Sequence, residues 1–364
     1  MKKINHKILL VGMYPPPYGG ITVHIERLKR ILDKSRNYKC YVLDLSGVES
    51  NEKNKNRNII LVKGNKIVRL IKALVRIKRF KGDIIHFHVS AFGNFKYVGI
   101  LLVHSNKQAK KILTIHSGSF IQNYKKGSWI QKKMVIWSLK SFDYIISVNK
   151  LQANFIRENL KIKSRIVVIP AFLPPVYPEN IILKDEISSF KKKFQKVIVT
   201  SGFMLRYYGF HIIIEAFNEI ANSHLFRAGL IIVYYTKEDL SYKNEILNMV
   251  KGKANIKMYS SLDPASFATI LRECSIFVRA TDRDGDAVAL REAAFFNKQV
   301  IASDCVERPK GVLLFKTMDK NDLKEKMKIA LSDPNYGKAE SSEKYGEKLI
   351  QLYNIIVSEK KKGA

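Results

Sequence analysis

Short apolar runs alternate with longer amphipathic stretches along the whole chain, and this alternation limits the possible folds more than any other feature. Many of the runs are continuously apolar, which is typical of parallel strands covered on both faces. Strands and helices that alternate in this way predict α/β domains with doubly wound sheets. The thirteen predicted strands span residues 7–13, 39–45, 58–62, 83–88, 111–116, 144–148, 166–169, 197–201, 229–234, 255–258, 275–278, 299–302 and 311–315.

Thirteen strands are more than one sheet comfortably holds, so we predict two Rossmann-like domains that face each other across a cleft. The length of 364 residues agrees with two domains. A proline-rich connector at residues 170–178 marks the boundary. We expect an N-terminal domain over residues 1–180, a C-terminal domain over residues 190–340, and a C-terminal helix within residues 341–364. In such sheets ligands bind at the carboxyl ends of the strands.

Basic and acidic residues are distributed differently along the chain. Residues 1–182 hold 34 basic and 9 acidic side chains, whereas residues 183–364 hold 30 basic and 23 acidic. A general lysine bias explains the even spread of basic residues but leaves the scarcity of acids in the first half unexplained. An anionic partner of the first half explains it, and a merely solvated basic surface is the alternative.

Cysteines and apolar segments indicate the compartment. Cys40, Cys274 and Cys305 lie far apart without metal-ligand spacing, so we expect reduced thiols. No apolar run approaches the roughly 18 residues that span a bilayer, and the apolar stretch at the N-terminus is too short for a signal peptide. We therefore expect an intracellular protein that does not cross the membrane.

The loop after the first predicted strand, Tyr14-Pro-Pro-Pro-Tyr-Gly19-Gly20, combines stiff prolines with paired glycines. Glycines let the backbone approach a ligand closely, and the helix that follows offers free N–H groups to an anion. A structural tight turn would have the same sequence. Contact with a phosphate or sugar and a purely structural turn therefore both stay open.

A second candidate site combines two acids with a helix start. Asp284 lies in a predicted loop, and Glu292 lies eight positions later, about two turns into a predicted helix. The backbone groups at the start of this helix belong to Asp286, Ala287 and Val288. At about 1.5 Å per residue the assembly spans the length of a nucleotide diphosphate sugar. Glu292 would accept two ribose hydroxyls, the N–H groups would hold the diphosphate, and Asp284 would meet the sugar. A capped helix with an incidental acid is the alternative.

This segment resembles the sequence signature of retaining GT-B glycosyltransferases, those of glycosyltransferase family 4 in particular. That signature has an acid, a glycine, six further residues and Glu-Ala. The form found here has Asp284 as the first acid and Arg308-Pro further along. It resembles a subgroup of the family in which aspartate replaces the first glutamate. The resemblance covers both predicted domains. Its other parts are Gly19-Gly20 with His24, Asp83-Ile-Ile-His86-Phe-His88, Thr114-Ile-His116, Val168-Ile-Pro170, and Gly202 to Gly209 ahead of Glu215-Ala-Phe.

The resemblance implies a function for each domain and roles for particular residues. The N-terminal domain would bind the acceptor and the C-terminal domain the nucleotide-sugar donor, with Glu292 on the ribose and Asp284 on hydroxyls of the transferred sugar. Gly19 and Gly20 would approach the diphosphate and sugar, and His116 would lie beside the reacting centre. For His116 a buried structural role is the alternative. The C-terminal helix would pack back on the first domain, as it does in the family.

One departure from the family concerns its diphosphate cations. The family usually has an arginine and a lysine where this chain has Phe203 and Tyr208. Departure of the nucleotide diphosphate builds negative charge in the transition state, so a cation is still needed. We predict Arg206 as the replacement. The nucleotide sugar is then a substrate, and no cofactor and no metal are expected.

Two basic amphipathic segments indicate a membrane partner. Residues 67–80 predict a helix, for which packing on the sheet is the default. Residues 124–137 interleave lysines with Trp129 and Trp137, a composition that favours a membrane–water interface. With the acid-poor first half, they predict peripheral docking on the anionic inner face of the cell membrane and a lipid-linked acceptor, as in cell-surface polysaccharide synthesis.

Two other functions compete with sugar transfer. A nucleotide-sugar epimerase on the same fold would act on a small soluble substrate and leave the basic first half unexplained. A non-catalytic polyanion-binding protein would use the excess of 64 basic over 32 acidic residues. The sequence holds no recognised nucleic-acid motif, so we expect no nucleic-acid partner, and polyanion binding leaves Asp284 and Glu292 without a role.

Overall fold

The computed structural model describes residues 6–89, 92–175, 177, 181–183, 185–222, 227–341 and 344–362. The chain divides into two compact units. The first is drawn from Met1–Leu173 together with Lys344–Ala364, and the second from Pro174–Glu343. The change from the first unit to the second therefore falls within the proline-rich connector.

The first unit contains a seven-stranded sheet in the order β3-β2-β1-β4-β5-β6-β7, and all its strand pairs are parallel. This order, with its reversal beside β1, is that of a doubly wound sheet. The strands are β1 His6–Gly12, β2 Tyr38–Asp44, β3 Ile59–Leu61, β4 Ile84–Val89, β5 Lys110–Ile115, β6 Tyr144–Ser147 and β7 Arg165–Val168.

The second unit contains a six-stranded parallel sheet in the order β10-β9-β8-β11-β12-β13. Its strands are β8 Lys196–Met204, β9 Ala228–Glu238, β10 Ile256–Ser260, β11 Ile276–Arg279, β12 Gln299–Ser303 and β13 Leu313–Phe315. Each of the thirteen predicted strands has its counterpart, and the prediction of two Rossmann-like α/β sheets is confirmed.

Helices connect the strands. The α-helices of the described residues are α1 Gly20–Lys34, α2 Asn51–Lys55, α3 Lys66–Arg79, α4 Phe95–Tyr97, α5 Phe120–Lys126, α6 Trp129–Lys140, α7 Lys150–Asn154, α8 Asp185–Lys193, α9 Phe210–Asn222, α10 Leu240–Val250, α11 Pro264–Glu273, α12 Val288–Phe295, α13 Lys320–Ser332 and α14 Tyr345–Lys362. Asp263 caps α11 by accepting hydrogen bonds from the N–H groups of Ala265 and Ser266, and Pro264 fills the first helical position. Among the described helices none has the length and apolarity needed to cross a membrane.

Both faces of each sheet are buried. In β1, Leu9 and Val11 belong to one hydrophobic cluster, whereas Ile8 and Leu10 belong to another on the opposite face. Alternate residues of a strand point to opposite faces, so two clusters require helices on both sides of the sheet. The second unit likewise has two clusters. This explains why the strands are continuously apolar.

The last helix, α14, completes the first unit. Its buried residues join the cluster that contains Ile8 and Leu10. These residues are Leu349, Leu352, Tyr353, Ile356 and Val357. The C-terminal segment of the chain therefore covers one face of the N-terminal sheet.

Candidate active site

In the first unit the proline loop after β1 is fixed by a buried ion pair. Lys53 Nζ lies 2.7 Å from Asp44 Oδ2, and both side chains are fully buried. Asp44 Oδ1 accepts a hydrogen bond from the Tyr14 N–H, and Lys53 donates to the Pro16 carbonyl at 2.8 Å. Sequence reasoning missed this pair. Its one signal was an acid at the carboxyl end of an apolar strand.

The paired glycines stand at the start of α1. The helix begins at Gly20, and the Gly19 carbonyl accepts hydrogen bonds from Thr22 Oγ1 and the Val23 N–H. No side chain caps this helix, so its first N–H groups point outward from the helix end. An uncapped N-terminus next to two glycines can receive an anion.

Three histidines come together at the carboxyl ends of the first sheet. His24 belongs to α1, His88 to β4, and His116 directly follows β5. One ring nitrogen of each lies within 4.8 Å of the others. His88 Nδ1 and His116 Nε2 are 3.1 Å apart, and His24 Nδ1 donates to the Ala171 carbonyl at 2.6 Å. His116, predicted beside the reacting centre, is the least buried of the three.

Burial keeps these histidines neutral. Desolvation lowers the pKa of His24 to about 4 and lowers the pKa values of His88 and His116 well below the ordinary value. Within the described part of the chain, the Nε2 atoms of His24 and His88 are buried without a hydrogen-bond partner. Imidazole nitrogens also bind transition metals, and His24, His88 and His116 are the group of described residues that could hold one. The prediction that no metal is needed stays a prediction.

His86 has a structural environment. Its Nδ1 lies 2.7 Å from the Tyr353 hydroxyl of α14, and its Nε2 lies 2.7 Å from Thr114 Oγ1. Both ring nitrogens are therefore occupied within the core, and of the two β4 histidines only His88 reaches the cluster with His116.

In the second unit Asp284 is bound by two arginines. Arg279 Nε and Nη2 donate to the two carboxylate oxygens at 3.0 and 3.2 Å, and Arg308 Nη1 donates to Oδ2 at 3.0 Å. Thr281 Oγ1 and the Gly285 N–H add two further hydrogen bonds. These two guanidinium groups hold the pKa of the Asp284 carboxyl well below its usual range despite its burial. Sequence reasoning noted Arg308 only as part of the motif and gave Arg279 no role.

Tyr208 occupies the space beside this cluster. The Arg279 guanidinium lies 4.8 Å from the centre of the Tyr208 ring. A Cβ on Gly202 would come within 2.0 Å of Tyr208 Cδ1, so only glycine fits there. The aromatic residue that replaces the family lysine is thus packed under an arginine from β11.

The helix α12 carries the other predicted donor residues. It begins at Val288 after Ala287, and no side chain caps it. Asp286 forms an ion pair with Arg291, and Glu292 is buried in the second turn. Asp286, Ala287 and Val288 lie at the helix start. Glu292 lies one turn into the helix and not two, because the helix begins only at Val288.

Arg206 is engaged elsewhere. Its guanidinium pairs with Glu245, and it lies 5.0 Å from the centre of the Tyr242 ring. Both partners belong to α10. The predicted replacement cation is thus tied to a surface carboxylate, whereas Arg279 and Arg308 lie on Asp284.

Each unit is a parallel, doubly wound α/β sheet with an uncapped helix start and polar residues at its strand ends, an arrangement suited to anionic ligands. A family model described as Glycosyltransferase Family 4 matches residues 18–175, and one described as Glycosyl transferases group 1 matches residues 183–349. The chain belongs to this family of GT-B glycosyltransferases, and glycosyl transfer is its activity.

Individual proteins show the same similarity. An uncharacterized glycosyltransferase of Methanocaldococcus jannaschii is 25% identical over 350 residues, which cover 88% of this chain and 87% of the relative. Sucrose-phosphate synthase from Thermosynechococcus elongatus superposes with a TM-score of 0.73 at 14% identity, covering 98% and 97% of the two chains. Anabaena HepE in complex with UDP and glucose has a TM-score of 0.70 at 11% identity, covering 96% and 100%.

Proposed function

We propose that this glycosyltransferase moves a sugar, with retention of its anomeric configuration, from a nucleotide sugar to a lipid-linked acceptor in cell-surface polysaccharide synthesis. The observation that carries the donor half is the buried Glu292 one turn inside the uncapped α12, the helix that follows the loop of the Arg279–Asp284–Arg308 cluster. Glu292 accepts the ribose hydroxyls, and the N–H groups at Ala287 and Val288 face the diphosphate. The similar Anabaena structure, which holds UDP and glucose, supports a nucleotide-sugar donor.

The first unit supplies the acceptor side. Gly19 and Gly20 let the backbone approach the transferred sugar, and the neutral His116 hydrogen bonds near the reacting carbon. We assign a front-face displacement. The acceptor oxygen bonds to the anomeric carbon on the face from which the diphosphate leaves, and the acceptor proton passes to the departing phosphate oxygen. The protein needs no covalent nucleophile and no metal in this scheme.

Exposed apolar and basic side chains support a peripheral membrane position. On α3, Ile67 and Ile71 are 70% and 56% exposed, and Trp129 on α6 is 66% exposed. Both helices pack against the same turn, Val98–Leu102. Lys133 Nζ lies 4.6 Å from the Trp129 ring centre. Lysine beside exposed tryptophan suits the interface of an anionic leaflet, so we place this face on the cytoplasmic side of the cell membrane.

Calorimetric titration with UDP, GDP and their sugars tests the donor site. We expect one nucleotide to bind the wild type and Glu292→Gln to weaken it at least about tenfold, since a buried charged hydrogen-bond partner of the ribose is lost. Glu325→Gln on the exposed surface of α13 is the matched control. Binding of no nucleotide, or equal binding by Glu292→Gln, would contradict the donor site.

A product analysis tests the retaining reaction. The protein is incubated with the nucleotide sugar that binds and with lipid-diphosphate acceptors, and NMR determines the anomeric configuration of the product. We expect the product to have the same anomeric configuration as the donor. An inverted product would rule out front-face transfer, and conversion of the donor to an epimer without acceptor would favour the epimerase.

A further inference from the structure

The Asp284 carboxylate has no lone pair left for a sugar hydroxyl. Two carboxylate oxygens offer about four acceptor positions. Five donors already occupy them, from Arg279 twice and from Arg308, Thr281 and Gly285. Asp284 therefore positions the two arginines, which both bind its carboxylate. A direct contact between Asp284 and the transferred sugar does not fit this arrangement.

The three side chains carry one positive charge in excess. Arg279, Arg308 and Asp284 have side-chain exposures of only 11%, 3% and 8%. A buried guanidinium without a full counter-charge is costly, and an anionic ligand would remove this cost. The charge balance of the cluster therefore favours an anion.

The cluster lies at the carboxyl ends of two strands and ahead of a helix start. Arg279 is the last residue of β11, and Arg308 Nε donates to the carbonyl of Ser303, the last residue of β12. The loop that holds Asp284 leads directly into the uncapped α12. Strand carboxyl ends and a free helix N-terminus are both places where phosphates bind.

The cation predicted from the sequence, Arg206, forms an exposed pair with Glu245, and positions 203 and 208 hold Phe203 and Tyr208. Resting on the proposed function, we propose that Arg279 and Arg308, positioned by Asp284, bind the diphosphate of the nucleotide sugar and stabilise it as it leaves. A guanidinium carries five N–H groups. Arg279 donates to Asp284 and the Ser201 carbonyl, and Arg308 donates to Asp284, to Thr281 and to Ser303, so each keeps only one or two N–H groups for a phosphate oxygen.

Calorimetry with nucleoside diphosphates and monophosphates tests the proposal. The probes are UDP, GDP, UMP and GMP, titrated into wild type, Arg279→Gln and Arg308→Gln. We expect each substitution to weaken the diphosphate about tenfold to a hundredfold while the monophosphate with the same base changes by about twofold or less. Arg308→Lys, which keeps the charge, should recover part of the loss.

The control variant removes the same charge from the same loop but leaves the Arg279–Asp284–Arg308 cluster intact. Arg283 lies in the same loop and forms a more exposed pair with Asp282. Arg283→Gln should bind every probe as the wild type does. Unchanged monophosphate binding also shows that the arginine variants are folded. Equal losses of UMP and UDP would contradict a diphosphate site.

Three further outcomes decide between this proposal and the proposed function. If the wild type binds a nucleoside diphosphate, Glu292→Gln loses it, and both arginine variants retain it, the arginine proposal alone falls. If the wild type binds none, both fall. If the variants bind UDP normally but lose UDP-glucuronate, the cluster recognises a sugar carboxylate, and the diphosphate assignment is wrong.

Discussion

Lys53 and Asp44 fix the proline loop through their fully buried ion pair and through hydrogen bonds to the Pro16 carbonyl and the Tyr14 N–H. Removing one partner of a fully buried ion pair leaves the other charge without compensation, which costs about 3–5 kcal/mol. We therefore expect Lys53→Met to lower the free energy of unfolding of the first unit by about that amount. Hydrogen exchange of β1 and β2 peptides during urea unfolding measures this.

An exposed pair in the same unit provides the control. Lys63 and Glu49 lie 2.7 Å apart with both side chains 55% exposed, so Lys63→Met should change stability by about 0.5 kcal/mol or less. The double variant Asp44→Asn/Lys53→Met should lose less free energy of unfolding than the sum of the losses in the two single variants, because the two side chains are coupled. Strict additivity would show that the pair does not act as a unit.

The three neutral histidines make the first unit sensitive to acid. Burial lowers the pKa of His24 to about 4 from 6.5. Between these values the unfolded chain binds a proton that the folded chain does not. Stability is therefore full above about pH 6.5 and falls with decreasing pH, by about 1.4 kcal/mol per pH unit for each such histidine. Unfolding measured from pH 7.5 to pH 5 should show this slope, and His24→Asn should reduce it. A flat profile would mean that the cluster accepts protons without unfolding.

At the scale of elements, α3 shows what periodicity can and cannot predict. In the sequence, Leu70, Ile71, Leu74 and Ile77 follow helical spacing, which predicts one packed apolar stripe. Ile77 is fully buried, and Leu70 and Leu74 pack against the core, but Ile71 is 56% exposed. The helix is apolar over more of its circumference than the sheet covers. Its placement against Val98–Leu102, a long-range contact, decides which residues stay exposed.

The exposed apolar residues of α3 and α6 predict membrane binding. In vesicle co-sedimentation, we expect Ile67→Ser/Trp129→Ser to reduce binding to vesicles rich in phosphatidylglycerol at least about tenfold, since two large apolar groups no longer enter the interface. Leu240→Ser, equally exposed at 68% but on α10 of the second unit, should bind like the wild type. Similar losses in the two variants, or none in either, would remove the support for docking through this face.

At the scale of the whole molecule, the C-terminal helix α14 packs on the N-terminal sheet. Tyr353 of α14 is fully buried and hydrogen bonded to His86 of β4. Truncating a buried aromatic residue costs about 3–5 kcal/mol, so Tyr353→Ala should destabilise the N-terminal sheet although it lies at the far end of the sequence. Hydrogen exchange of β4 peptides measures the effect.

The neighbour Ile355 is the control for this prediction. It lies on the same helix but is 50% exposed, so Ile355→Ala should stay within about 0.5 kcal/mol of the wild type. A loss from Tyr353→Ala that appears only in peptides of the second unit would contradict the assignment of α14 to the first.

Local pattern alone determined the strands, the two sheets and the residues at the two helix starts, because continuous apolar runs and glycine or acid positions are properties of neighbouring residues. The partners of those residues depend on the fold. The spacing to Glu292 predicts Asp284 as a sugar ligand, and the structure adds that Arg279 and Arg308 both pair with its carboxylate. Nearness in sequence predicts Arg206 as a diphosphate cation, and the structure adds its ion pair with Glu245. Parallel strands bring together residues from distant loops, and only tertiary structure decides which charges meet there.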